Sequence, residues 1–303
     1  MNNSLTIIGA GAWGSALAIA LSHKFDKIFL LAKDKASSDA LGKKHSALSK
    51  PYNQNIFIDS SYEVINHSKA VLIATPSSAF GSVLKNIKDN VNDIPIAWVT
   101  KGFDPETANL LHETFNHYLT GHHPCVISGP TFAAEIVEEK PAAIVVASKD
   151  KKTRDYWSDI IQTETLRAYT NSDIVGVQVG GSVKNILAIA AGIASGLGFG
   201  ANTQAALITR GLAEMTRLGV ALGADKVTFQ GLSGLGDLVL TCSDDLSRNR
   251  RFGKELANNI STDDALKNIN ATVEGFKALK LVLKVARSNQ IEMPICEQVL
   301  LVT

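Results

Sequence analysis

An excess of charge of either sign is the first thing this chain lacks: 30 Lys and Arg stand against 29 Asp and Glu, leaving a formal net charge of +1 over 303 residues. Nothing in that balance suggests nucleic acid or an anionic membrane surface as a partner. Cysteine is scarce as well. Cys125, Cys242 and Cys296 are odd in number and lack the close spacings of a zinc site, so reduced thiols in a reducing, cytoplasmic compartment are expected and a metal site is not. A basic leader is missing, because Met1-Asn2-Asn3-Ser4 precedes an apolar run without a positive n-region, which argues against a signal peptide. The apolar stretch from Ile186 to Phe199 is too short to span a bilayer and is interrupted by Gly192, Ser195, Gly196 and Gly198, so no membrane span is expected. Internal repeats and low-complexity linkers are also absent. With 45% hydrophobic residues the chain can bury one large core or two medium ones.

What is present begins at the N-terminus. The run Leu5-Thr6-Ile7-Ile8 breaks into Gly9-Ala10-Gly11-Ala12-Trp13-Gly14 and resumes as the helical pattern Ser15 to Leu21. Strand, glycine turn and helix are the context in which GxGxxG binds a dinucleotide. Gly9 suits the tight turn, Gly11 lets the backbone approach a pyrophosphate, and Gly14 lets the helix pack on the strand with its N–H groups facing the anion. A second strand, Lys27 to Leu31, should end where an acidic residue would hold an NAD ribose, about 20 residues after the glycines. Ala32 and Lys33 follow instead. Lys33 either neutralises the 2′-phosphate of NADP or is a solvated strand end, and Asp34 beside it remains a second candidate for an NAD ribose.

Further β-rich runs alternate with helical or loop segments: Ala70 to Ala74, Ile94 to Val99, Pro124 to Ser128, Ala142 to Ala147 and Leu166 to Tyr169. That alternation predicts an α/β fold with a parallel, doubly wound sheet of Rossmann type. Thr75-Pro76-Ser77, Thr100-Lys101-Gly102 and Gly129-Pro130-Thr131 follow three of these runs, at the strand ends where such sheets bind ligands. From about Gly180 the texture turns to Ala, Leu and Gly in helical periods. The expected organisation is a dinucleotide-binding domain over 1–179 and a mainly helical substrate-binding and catalytic domain over 180–303, with a ligand cleft between them.

Two clusters in the helical half look out of place. Gly180-Gly181-Ser182-Val183-Lys184-Asn185 introduces the apolar continuation Ile186 to Ala191. A lone lysine at such a position is often solvated, but burial beside apolar walls is how a lysine becomes a proton donor near neutral pH. The second cluster joins Asp237, flanked by glycines, to Ser247-Arg248-Asn249-Arg250-Arg251. A helix start carrying arginine and asparagine can grip a phosphate monoester through charge-assisted bonds added to backbone N–H donors. A phosphorylated small substrate follows.

GAGAWG, TKG at 100–102, SGPTFA at 128–133, GGSVKN at 180–185, ITRGLAEM at 208–215, GLGDLVLTC at 234–242, SRNRRFG at 247–253 and VEG at 273–275 occur in this order over nearly the whole chain. Together they closely resemble the bacterial NAD(P)-dependent glycerol-3-phosphate dehydrogenases. The resemblance implies reversible reduction of dihydroxyacetone phosphate to sn-glycerol 3-phosphate for glycerophospholipid synthesis. Carried onto matching positions, it implies that Ala12, Trp13, Lys33, Ala133, Thr272 and Glu274 line the cofactor with Gly9, Gly11 and Gly14, and that Lys101 reaches both cofactor and substrate. Gly129 and Thr131 would bound the substrate loop, and Lys184 would donate and accept the proton. Asp237, Ser247, Arg248 and Asn249 would hold substrate, with Arg248 also touching the cofactor. A homodimer is the expected assembly. Two departures stand out: members usually continue further past Glu292-Met293-Pro294-Ile295, whereas this chain stops at Thr303, and Thr272 replaces a residue that is often apolar.

Two rivals are weaker. A hydroxy-acid dehydrogenase of the same plan would not need Ser247, Arg248 and Asn249 against a phosphate, and a redox-sensing module would keep only the nucleotide half.

Overall fold

Continuous apolar runs make strands buried on both faces, and here they assemble the centre of an eight-stranded sheet. The computed structural model describes residues 3–303, so the first two residues of the N-terminal stretch noted above lie outside the described residues. The chain divides into two compact units, Met1–Thr100 with Leu111–Ile174, and Lys101–Leu110 with Val175–Thr303.

The first unit alternates strands and helices. Its strands are β1 (Ser4–Ile8), β2 (Lys27–Leu31), β3 (Ile56–Asp59), β4 (Ala70–Ile73), β5 (Ile96–Trp98), β6 (Val126–Ser128), β7 (Ala142–Ala147) and β8 (Leu166–Asn171). Its helices are α1 (Ala12–Leu21), α2 (Lys35–Leu41), α3 (Ser77–Ile87), α4 (Leu111–Tyr118), α5 (Ala133–Val137) and α6 (Lys151–Ile161). The sheet order is β3-β2-β1-β4-β5-β6-β7-β8. Leu5 is in register with Ile28 on one side and with Ala70 on the other, so the winding direction reverses at β1. The carboxyl ends on either side of such a reversal form the ligand crevice of this fold class. The core of this unit joins Leu5, Ile7, Leu17, Ile28, Leu72 and Ile127, among others.

Two features depart from the sequence reading. β3 was not anticipated; it is only four residues long and leaves Phe57 on the surface, so it offers no buried apolar run to detect. β6 and β7 are antiparallel, pairing Val126 with Ala147, whereas every other pair in the sheet is parallel. The five-residue α5 packs against α1 instead of returning the chain to the amino end of β6, so β7 starts beside the end of its neighbour.

The second unit contains α7 (Ile174–Gly196, its first residue belonging to the other unit), α8 (Ala201–Ala221), α9 (Asp237–Ser243), α10 (Arg248–Ala257), α11 (Thr262–Ile269), α12 (Glu274–Ser288) and α13 (Pro294–Leu301). A π-helical turn over Leu232–Gly236 leads into α9. The core is built around α7, whose Val183, Ile186, Leu187 and Ile189 pack with Met215, Leu238, Phe252 and Leu279. Most of the apolar stretch read as too short to span a bilayer, from Ile186 to Gly196, is part of this longer helix. At 23 residues, α7 is long and apolar enough to cross a membrane by length and composition, but 94% of its most apolar window is buried inside the protein. Apolar side chains spent on a protein core are what make a central helix read this way. The segment Lys101–Leu110 belongs to this unit and not to the sheet it follows in sequence, so the division is not a single cut after residue 179. Phe103 and Leu110 bridge to each other and sit in the helical core, and the Gly102 N–H donates to Ser182 Oγ at 3.1 Å.

Candidate active site

In the first unit the glycine turn leaves β1 in the geometry a dinucleotide needs. Gly9 has φ +116°, and a Cβ there would stand 2.7 Å from the Ala74 carbonyl carbon. A Cβ on Gly14 would stand 2.0 Å from the Gly9 oxygen, so α1 can begin this close to the strand only without one. Above Gly11 nothing lies within 4 Å of where a Cβ would be, and no side chain caps α1. Uncapped first-turn N–H groups beside an open glycine are an anion cradle. The residues present therefore fit a pyrophosphate. Ala12 and Trp13 open α1, with Trp13 packing partly on the sheet core.

Lys33 is exposed two residues past β2, and Asp34 is the N-cap of α2, accepting from Ser37 N at 2.8 Å. At the end of β6, Gly129 packs 3.0 Å (ideal Cβ to Cα) from Ile144, and Thr131 Oγ1 donates to its carbonyl at 3.5 Å. Ala133 opens α5 and packs against the sheet core. Thr75 Oγ1 and Ser128 Oγ, at the carboxyl ends of β4 and β6, are buried without a hydrogen-bond partner.

In the second unit Lys184, the sequence-predicted catalytic residue, and Lys101, a predicted binding residue, converge on one carboxylate. Asp237, the first residue of α9, is wholly buried. Lys184 on α7 donates to its Oδ1 and, at 2.9 Å, to Thr241 Oγ1. Lys101 donates to its Oδ2 at 2.8 Å. Thr241 in turn donates to the Asp237 carbonyl at 2.6 Å, which fixes the hydroxyl as an acceptor toward the lysine. One carboxylate thus serves two ammonium groups. Burial and the nearby Lys101 charge pull the Lys184 pKa down to about 7, against the upward pull of Asp237. For Lys101, burial acts downward but is outweighed by the charge and hydrogen bond of Asp237, with Glu274 adding, so its pKa is raised.

A second network lies one residue along. Asn185 Nδ2 donates to Glu274 Oε2 at 3.1 Å, Asn249 Nδ2 donates to Asn185 Oδ1 at 3.1 Å, and Asn249 Oδ1 accepts from Gly275 N at 2.8 Å. Ser247 caps α10, accepting from Arg250 N at 3.3 Å, while the Arg248 side chain is exposed. Arg250 is spent inward, bonding Asp245 and, at 3.1 Å, Ser195 Oγ. Thr272 precedes α12 and joins neither network. The approach of α7 to α10 depends on two glycines: a Cβ on Gly192 would stand 2.0 Å from the Arg250 oxygen, and one on Gly253 would stand 2.1 Å from the Ile189 oxygen. Sequence reasoning did not assign Thr241 a part, nor the Asn185–Glu274 link. The first carries no mark beyond its spacing of four from Asp237, one helical turn.

Comparison with known proteins gives matches along both halves of the chain. A family model described as the NAD-dependent glycerol-3-phosphate dehydrogenase N-terminus matches residues 4–154, and the corresponding C-terminus model matches residues 173–303. A glycerol-3-phosphate dehydrogenase (NAD(P)+) of Ruthia magnifica subsp. Calyptogena magnifica is 60% identical over 100% of this chain and 94% of its own length. One from Colwellia psychrerythraea is 44% identical over 97% of this chain and 91% of its own. The crystal structure of glycerol-3-phosphate dehydrogenase from Coxiella burnetii superposes with a TM-score of 0.94 at 38% identity, covering 98% of this chain and 93% of that one. Because both family models match and relatives at 60% and 44% identity cover nearly its whole length, the chain belongs to the NAD-dependent glycerol-3-phosphate dehydrogenase family.

Proposed function

We propose that this chain catalyses the reversible reduction of dihydroxyacetone phosphate to sn-glycerol 3-phosphate with NADPH or NADH, and that the product feeds glycerophospholipid synthesis. The observation that carries the reading is the buried Asp237 bridging Lys101 and a Lys184 held near neutrality. The dinucleotide, when bound, supplies the hydride to the substrate carbonyl carbon. Negative charge then grows on the carbonyl oxygen, and Lys184 gives it the proton or takes that proton back in the oxidative direction. With a pKa of about 7 its ammonium is acidic enough to give and its amine basic enough to take. Lys101 keeps its proton and supplies a fixed positive field toward the same oxygen. Asp237, expected among the substrate-holding residues, has both oxygens committed to the lysines, so its proposed role is to position them. Thr241 fixes the direction of the Lys184 ammonium.

The substrate phosphate is assigned to Arg248 and the first-turn N–H groups of α10, with Ser247 shaping that turn. Asn249 Nδ2 has one proton left after its bond to Asn185 and can give it to the same phosphate. Binding a group remote from the reacting carbon aligns the carbonyl and raises the rate by orientation. On the nucleotide unit, Gly9, Gly11, Ala12, Trp13, Gly14, Lys33 and Ala133 are assigned to the cofactor, and Gly129 and Thr131 to the substrate loop. Glu274 and Thr272 are assigned to the cofactor from the helical unit, together with Lys101 and Arg248. A homodimer without a membrane span, working in the cytoplasm, completes the proposal. The test follows NADPH and NADH oxidation with dihydroxyacetone phosphate beside a panel of 2-keto acids. Turnover of the phosphorylated ketone alone is expected, and preference for a keto acid overturns the reading.

A further inference from the structure

We propose that Arg250 is a positioning residue for the reaction: bonded to Ser195 on α7 and to Asp245 ahead of α10, it sets where the first turn of α10 stands relative to Lys184. The inference rests on the assignment of the substrate phosphate to that turn and goes further by naming what holds the turn at its distance from the proton donor.

The two ends of the substrate are served by different helices. Lys184 is on α7, while Arg248 and Asn249 open α10. In dihydroxyacetone phosphate only one methylene and the ester oxygen separate the carbonyl carbon from phosphorus, so a seated phosphate leaves the carbonyl little freedom to follow a displaced lysine. The helices themselves meet backbone to backbone. A Cβ on Gly192 would stand 2.0 Å from the Arg250 oxygen, one on Gly253 2.1 Å from the Ile189 oxygen, and one on Gly196 3.1 Å from the Lys254 oxygen. Such a line of glycines brings two helices close but offers no ridge along it to stop one from sliding on the other. Arg250 supplies the stop. Its side chain is only 12% exposed, with one terminal nitrogen donating to Ser195 Oγ at 3.1 Å and the other to Asp245 Oδ1. Ser195 lies eleven residues beyond Lys184, about three turns of α7, so the two project from the same face of that helix. One guanidinium therefore ties α10 both to the helix carrying the proton donor and to the segment 244–247 that leads into the phosphate turn. The other bonds of that segment are local: Asp244 Oδ1 accepts from Leu246 N at 2.7 Å, and Ser247 Oγ from Arg250 N at 3.3 Å. Lys254 also donates to Asp245, at 2.6 Å, but it is 33% exposed and stands on α10 itself, so it adds no tie to α7. The Arg250 Nε is buried without a partner, which leaves the hold to the two terminal nitrogens. A planar fork reaches two partners where a single ammonium reaches one.

The test measures single-turnover hydride transfer from NADPH to dihydroxyacetone phosphate, per NADPH-binding site, together with competitive inhibition by inorganic phosphate, in the full-length enzyme. Arg250→Gln is expected to slow hydride transfer by about ten- to a hundredfold, the effect of a misplacement of about 1 Å. Inhibition by inorganic phosphate should stay within about threefold of wild type, because Arg248 and the first-turn N–H groups remain and only their distance from Lys184 has changed. Ser195→Ala, which removes the tie to α7 and leaves the Asp245 bond, should slow transfer in the same direction, and the double variant should be no slower than Arg250→Gln alone. Arg250→Lys should restore only part of the rate. A lowered melt with a wild-type rate per NADPH-binding site would make Arg250 a stabilising residue only and overturns the inference, as do additive effects of Ser195→Ala and Arg250→Gln. If Arg250→Gln fails to fold, the rate of Ser195→Ala decides: a wild-type value overturns the inference. Arg248→Ala separates the inference from the assignment beneath it. Weakened phosphate inhibition there with a wild-type rate in Arg250→Gln removes the inference alone, whereas unchanged phosphate inhibition in Arg248→Ala removes the assignment and the inference with it.

Discussion

The two units handle charge in opposite ways. The nucleotide unit prepares for an anion with backbone geometry and exposed side chains: open space above Gly11, an uncapped α1 and an exposed Lys33. The helical unit buries the charges of its site, bringing Lys101 and Lys184 onto one fully buried carboxylate. Exposed charges are screened and nearly independent, so each substitution there has a small and separable effect. Buried charges share a low-dielectric environment, where removing one changes the protonation of the others. Chemistry at neutral pH needs the second arrangement, and binding a ready-made phosphate needs only the first.

The comparison breaks most directly at Lys184. Lys184→Met keeps most of the volume and removes the titrating group, so turnover should fall by roughly two to four orders of magnitude, the usual worth of a positioned general acid. Lys184→Arg should not restore it, because a guanidinium keeps its proton at any working pH. Single-turnover hydride transfer measures this, with NADPH binding followed separately by fluorescence; a near wild-type rate would remove Lys184 from the mechanism. In the wild type, ketone reduction should decline above a pH of about 7 as Lys184 loses its proton, and alcohol oxidation should rise over the same range. Stability has its own sign. The folded-state pKa of about 7 lies below the ordinary 10.5, so between those values the unfolded chain binds the additional proton and stability rises with pH. The penalty is fully present below about pH 7. The melts of wild type and Lys184→Met should therefore draw together as pH rises from about 7 toward the unfolded value of 10.5.

Asp237→Asn tests whether the buried charges are coupled. It leaves Lys101 and Lys184 facing a neutral amide, and breaking a buried pair from one side typically costs about 3–5 kcal/mol. Without the upward pull of the carboxylate, Lys184 should titrate lower still, and the pH profile of ketone reduction should move to the acid side. A melt lowered with an unmoved profile would mean that Asp237 serves the fold and not the lysine.

How much of this was readable in the sequence follows the same division. The glycine turn was legible because each glycine there answers a local demand, from the positive φ of Gly9 to the strand contact of Gly14. Lys184 was legible as a lone cation on an apolar helix, and its burial bears out the environment inferred for it. Lys101 was harder: it follows a strand of the nucleotide unit, yet its segment folds with the helices, and only the tertiary pairing with Asp237 shows why. Gly192 reads as an interruption of an apolar stretch, while the structure uses it, with Gly253, for one helix crossing. The antiparallel β6–β7 pair was invisible because direction depends on where α5 packs, and apolar alternation carries no direction.

Arg248 sharpens the comparison from the other side, being an exposed charge on the unit whose site lysines are buried. A hydrogen bond to a charged group contributes about 1.5–3 kcal/mol, so Arg248→Ala should lower kcat/KM for dihydroxyacetone phosphate by about ten- to a hundredfold. Unphosphorylated dihydroxyacetone should lose far less. Equal losses on both substrates would assign Arg248 to the cofactor or the fold.

Ser247 gives the smallest effect and the finest discrimination. Its hydroxyl caps α10 by accepting from Arg250 N, and its side chain is buried at the turn that presents Arg248 and Asn249. Ser247→Ala should cost about 1 kcal/mol of stability, as cap removals do, and raise KM for the phosphorylated ketone a few-fold by loosening that turn. Ser247→Asp keeps a capping oxygen and suits the helix dipole, so the melt should stay near wild type. The new carboxylate would nevertheless stand where the substrate phosphate is assigned, and like charges repel. KM for dihydroxyacetone phosphate should then rise about tenfold or more, while unphosphorylated dihydroxyacetone is spared. If the aspartate variant binds the phosphorylated ketone as well as wild type does, the first turn of α10 is not the phosphate site. The phosphate would then have to be held by the buried lysines themselves, and charge in the helical unit would be used only where it is hidden from water.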